Sequence, residues 1–196
     1  IIENSIQGKA QIKDAKIRFH KDVDAVNTKS LDIFFKDNRL HFNLMEPMFK
    51  DKKLDGSFVL INNLTSEKNG QVDVFLKTNS KLDKDILDIL KAYNITLPII
   101  QKNGNTQASL LMKFPYDTTK NMSTYGEFFL NDAKVAINNF EFESKNAEVI
   151  LDDSIIKIKN SDFKYKDMIN ATLNLNLDIK TLKSYGDANI KSFLIK

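Results

Sequence analysis

The chain has no cysteine among its 196 residues, which removes disulfide frameworks and thiolate chemistry at once. Only two histidines occur, His20 and His41. They fall at strand ends or within strand patterns, and no metal-ligand spacing joins them, so a structural role is expected for each. Arginine is limited to Arg18 and Arg39, so nearly all positive charge is lysine, which lacks bidentate carboxylate and phosphate recognition. The net charge is only +3. It is spread evenly, leaving no basic stripe to displace counterions from a nucleic acid, so nucleic acid is not an expected partner. No apolar run approaches the roughly 20 residues a membrane-spanning helix needs, and no signal peptide is visible. The opening "IIENS" lacks Met, as expected of a section of a longer protein whose anchor or export signal lies elsewhere.

Catalytic motifs are missing too. Nucleophile elbow, P-loop, paired-glycine phosphate loop and HExxH helix are all absent. Asp22 and Asp24 suit the first and third positions of a calcium loop, but Asn27 stands at the sixth and Ile33 at the twelfth, and the reading fails. Asp83, Asp85 and Asp88 read as a polar helix face. Four glycosylation sequons, at Asn63, Asn94, Asn121 and Asn170, are what an Asn-rich chain yields by chance. An enzyme is not expected, because polar groups alternate outward instead of converging on a pocket.

What the chain does have is alternation. In "ATLNLNLDIK" (171–180), Leu173, Leu175, Leu177 and Ile179 take one side and Asn174, Asn176, Asp178 and Lys180 the other. That period of two predicts a strand with one dry face. The pattern also repeats. "GKAQIKDAKIRF" (8–19) aligns with "GEFFLNDAKVAI" (126–137), and Tyr125-Gly126 recurs as Tyr185-Gly186. "KSLDIFFKDNRLHF" (29–42) aligns with "KNAEVILDDSIIKI" (145–158), and "LDGSFVL" (54–60) with "INATLNL" (169–175). Recurrence in fixed order predicts stacked repeat units. Lys36-Asp37-Asn38 and Asp152-Asp153-Ser154 are short polar connections suited to antiparallel hairpins.

One segment departs from the pattern. In "NSKLDKDILDILKAYN" (79–94), Leu82, Ile86, Ile89, Leu90 and Tyr93 fall on one helical face. Ser80 with Asp83 resembles a capping box.

On pattern alone the dry faces have two destinations. They close on each other as a sandwich or barrel, with Phe128, Leu130, Val135, Ile137, Leu173 and Leu175 as core, or they line an open trough.

The order of "GKAQIKDAKIRF", "LDIFFKDNRLHF", "LDGSFVLINNL", "VDVFLKT", "LDILKAY" and "GNTQASLLMKFPY" resembles the YhdP branch of the AsmA-like proteins. TamB and the bridge-like lipid transfer proteins are more distant relatives. The resemblance implies a mainly β fold, a long twisted antiparallel sheet curled into an open apolar groove, with one amphipathic α-helix. It implies a single continuous domain, with residues 1–78 a first groove segment, 79–97 the helix and its connection, and 98–196 a second segment. The implied role is non-enzymatic and needs no cofactor: a periplasmic section, anchored in the inner membrane through parts absent here, carrying phospholipid or other acyl lipid toward the outer membrane. Adjoining repeats of the parent chain are implied partners. Lipid contacts implied by this reading are Ile33, Phe35, Leu40, Phe42, Phe58, Leu60, Val72, Val74, Leu110, Met112, Phe128, Leu130, Val135, Ile137, Val149, Leu151, Ile156, Ile158, Leu173, Leu175 and Leu177. Two acyl chains of about 16 carbons, at about 0.8 kcal/mol per methylene, cost on the order of 25 kcal/mol to expose to water, so such cargo needs continuous apolar cover. The alternative is a scaffold for outer-envelope proteins, whose strand edges add to a client.

Overall fold

Residues 6–66, 68–97, 99–137 and 140–194 are described by the computed structural model. The elements run β1 (Gly8–Ile17), β2 (Val26–Lys36), β3 (Arg39–Met45), β4 (Met48–Phe49), β5 (Lys52–Lys53), β6 (Phe58–Asn62), β7 (Gln71–Ser80), α1 (Lys84–Ala92), β8 (Ile100–Pro115), β9 (Ser123–Ile137), β10 (Phe140–Asp152), β11 (Ile155–Tyr165), β12 (Ile169–Asp178) and β13 (Ser184–Phe193). They divide into two compact units, residues 1–78 with 109–125 and residues 79–108 with 126–196.

In the first unit the strand order is β8-β7-β6-β3-β2-β4-β5, with β1 also pairing β2. The β2–β3 hairpin closes between Lys36 and Arg39. Asp37 and Asn38 both take positive φ, 51° and 57°, the primed geometry whose twist matches that of the flanking strands. Val26, Leu31, Leu44, Phe49, Leu54, Val74, Leu110 and Met112 form the buried apolar set.

In the second unit the order β13-β12-β11-β10-β9-β8 follows the sequence. Asp152 pairs with Ile155 across the Asp153-Ser154 turn, where Asp153 has φ 52°. The Asp-Ala-Lys repeat has a backbone counterpart. Asp14 and Asp132, its two aspartates, both hold left-handed φ within a strand, at 49° and 44°, a conformation that Asp tolerates better than most residues. Against Asp132 lies Gly104, at φ 86°, where an added Cβ would stand 2.4 Å from the Asp132 carbonyl oxygen. Gly104→Ala is therefore expected to cost roughly 1–3 kcal/mol, read as a lower urea midpoint at unchanged slope.

The mainly β character and the single helix stand, but the curled groove does not. Among the described residues the two ends of the strand order do not pair with each other in either unit, and in neither unit is the sheet curled or closed into a groove. Alternation fixes which face of a strand is dry and leaves open what covers it. In the second unit, the chain flanking α1 provides that cover.

Candidate functional site

The register of β10 to β13 builds the site. Leu151 lies opposite Ile156, Ile156 opposite Leu177, and Leu177 opposite Ser184. One step along, Val149 faces Ile158, Ile158 faces Leu175, and Leu175 faces Gly186. Directly paired residues share a face, so the two rows make one apolar floor. Phe128 and Leu130 of β9 extend it, at 4% and 5% exposure.

The roof comes from the chain around α1. Asp83 caps the helix, its carboxylate accepting from the Asp85 and Ile86 N–H groups at 3.1 and 3.4 Å. The capping box expected at Ser80 is thereby corrected, because Ser80 is still the last residue of β7. Asp83→Ala should cost about 1 kcal/mol, seen as a small fall in melting temperature. The helix buries Ile86, Ile89 and Leu90, the apolar stripe that its spacing predicts. Tyr93 follows, its phenol pKa pushed up by burial. Leu82 before the helix and Leu97 and Ile99 after it complete a cavity of about 250 Å³, lined by eleven apolar residues and Ser184.

Eight of the residues expected to touch lipid line this cavity: Phe128, Leu130, Val149, Leu151, Ile156, Ile158, Leu175 and Leu177. Leu173 is half-buried opposite Ser161 and Ala188 on the same strand face, and Val135 is half-buried beyond the Asp132 kink. The side chain of Ile137 lies outside the described residues.

The remaining expected contacts belong to the first unit. Ile33, Phe42 and Val74 fall in one cross-strand row completed by Val59, and Phe35, Leu40 and Val72 in another completed by Ile61. Leu110 and Met112 are buried in that unit. Phe58 and Leu60 are placed on the opposite face. Leu60 pairs with His41 and Asp73, and Phe58 with Asn43 and Phe75. The Phe58 ring stacks on Phe75 at 5.1 Å and meets the His41 ring edge-on at 5.3 Å. His41 thus packs among aromatic and aliphatic side chains, its buried Nε2 making no hydrogen bond among the described residues.

The reading from sequence missed the roof residues Leu97 and Ile99 and the polar contacts behind them. Gln101 and Thr106 are 2% and 0% exposed, and Gln101 Oε1 accepts from the Leu82 N–H at 2.8 Å. The other face of this unit is charged. Lys134 bonds Glu141 at 3.1 Å and Lys191 bonds Asp162 at 2.9 Å. The Lys102 and Lys134 ammonium groups hold the Glu141 carboxyl below its usual range; these pairs are exposed and add little stability. Among the described residues no group of three or more His, Asp or Glu side chains is placed to hold a metal, and no helix is long and apolar enough to cross a membrane.

The YhdP protein family matches residues 2–196. The chain belongs to that family. It is thereby a member of the AsmA-like superfamily, whose association is with lipid transport in the periplasmic envelope and which has no catalytic activity. No curated protein matches the chain, and no solved structure does.

Proposed function

We propose that this chain is a periplasmic section of an inner-membrane-anchored protein that carries phospholipid between inner and outer membranes, and that the cavity beneath Leu82, Leu97 and Ile99 takes a segment of an acyl chain. The supporting observation is the cavity lining: eleven hydrocarbon side chains and a single hydroxyl, within about 250 Å³. A cavity of roughly 150 Å³ with an aliphatic and aromatic lining stays dry and takes up benzene, so this larger one favours a run of methylenes over water. Each methylene it covers is stabilised by about 0.8 kcal/mol. With the Ser184 hydroxyl the one polar side chain in the described lining, discrimination among fatty acyl types is weak. The volume suits part of one chain, so the rest of a phospholipid lies outside it or on adjoining repeats of the parent protein. Lipid extraction of the purified chain followed by mass spectrometry should recover stoichiometric acyl lipid. Recovery of none, from protein prepared without detergent, contradicts the proposal.

A second reading has its own observation. β13 ends the strand order, and all ten of its residues are exposed, so its outer edge offers backbone groups to an extended client strand. In that case the copurifying species is a polypeptide and acyl lipid is absent.

A further inference from the structure

We infer that Gln101 is a positioning residue for the apolar cavity, fixing its roof at Leu82 and so setting the length of acyl segment it accepts. The inference rests on the acyl-chain reading above. Leu82 lies between β7 and α1, so neither a ladder nor the helix supplies a partner for its N–H. The Gln101 side chain supplies it, with Oε1 2.8 Å from the Leu82 nitrogen. The same oxygen accepts from Thr106 Oγ1 at 2.7 Å, and Nε2 donates to the Asn103 carbonyl at 3.2 Å. Both ends of the amide are therefore held, in a place where Gln101 is 2% and Thr106 0% exposed. Buried polar groups are retained only when paired, and an apolar residue at 101 would strand the Leu82 N–H and the Thr106 hydroxyl together.

This bond acts on the cavity through Leu82, which lines it and is 1% exposed. The helix beyond has its own anchors in Ile86, Ile89 and Leu90. Leu82 can therefore shift while α1 stays in place, and Gln101 is what prevents the shift. The height of the roof at Leu82 limits how far a chain lying on the Ile156–Leu177 row can extend.

The test uses the whole chain and a series of saturated fatty acids from octanoic to palmitic, each displacing bound parinaric acid, with hydrogen exchange read at the Leu82 amide. The parent should show a length beyond which affinity stops rising. Gln101→Met should move that limit to longer acids and speed Leu82 exchange about tenfold, the loss of one buried hydrogen bond. Gln101→Glu, which keeps an acceptor at the same reach, should return both towards the parent values. If Gln101→Met does not fold, Gln101→Asn, one methylene shorter, is read in the same way. A folded variant with the parent's length limit overturns the role of Gln101 and leaves the acyl reading intact. A parent that binds none of the acids contradicts the acyl reading itself.

Discussion

Leu175→Asp is expected to weaken uptake of a fluorescent fatty acid sharply while the protein still folds. Leu175 sits on the cavity floor between Ile158 and Gly186, half-buried, so a carboxylate there can still reach water at some cost to stability. Among the described residues the lining offers it no cation, and the Ser184 hydroxyl is its one polar side chain. A carboxylate in such surroundings either draws in water or takes up a proton, and with water in the cavity the hydrophobic gain from burying methylenes is lost. Fatty-acid affinity should fall at least about tenfold, equivalent to losing roughly two methylenes of contact. Fluorescence titration of parent and variant at neutral pH measures it. Undiminished binding by folded Leu175→Asp places the acyl contact elsewhere.

The largest stability effect is expected at Leu151. Its side chain is 1% exposed and lines the same cavity opposite Ile156. Leu151→Ala removes buried methyl groups beside an existing void, so the floor has little to collapse onto. Such sites lie toward the upper part of the ~2–5 kcal/mol range for buried Leu→Ala changes. The same substitution enlarges the cavity, so two measurements should move oppositely. The urea midpoint falls, and saturating fatty acid restores a larger share of stability than it does in the parent, because a ligand that binds only the folded state stabilises it by mass action. A loss below about 1 kcal/mol would mean that this part of the floor repacks freely.

Much of the fold was legible where the residues left one choice. In β12 the alternation of Leu173, Leu175 and Leu177 with Asn174 and Asn176 fits only a one-sided strand, and the register puts the three leucines on one face. Asp37-Asn38 encoded a tight turn because those residues tolerate positive φ. The helix stripe was legible from spacing alone. Where the sequence offered two choices, the strand register decided which residues share a face. Phe58, Val59, Leu60 and Ile61 are four consecutive apolar residues, without alternation to say which pair faces the dry side, and pairing with Phe42 and Leu40 selected Val59 and Ile61. The capping aspartate was ambiguous for a similar reason, since Ser80 and Asp83 both suit a helix start and the length of β7 decided between them.

The roof was illegible in principle. Leu97 and Ile99 lie in connecting chain with no periodicity, Leu82 read only as the start of the helical stripe, and their shared role depends on contacts far along the sequence with β10, β11 and β12. Gln101 gave no signal either, because a glutamine at a strand start reads as solvent-facing until the Leu82 N–H is found against it. The curled groove failed at the same point. Alternation specifies a dry face, and the segment that covers it is chosen by tertiary contacts alone.

The most direct measurement is methyl NMR of the chain with a fatty acid carrying a nitroxide near its terminal methyl. If the cavity of the second unit holds the acyl segment, relaxation broadening centres on the methyl groups of Leu130, Leu151, Ile156 and Leu177 and spares Ile33 and Leu40. Broadening spread evenly over both units, or centred on the first, would contradict it.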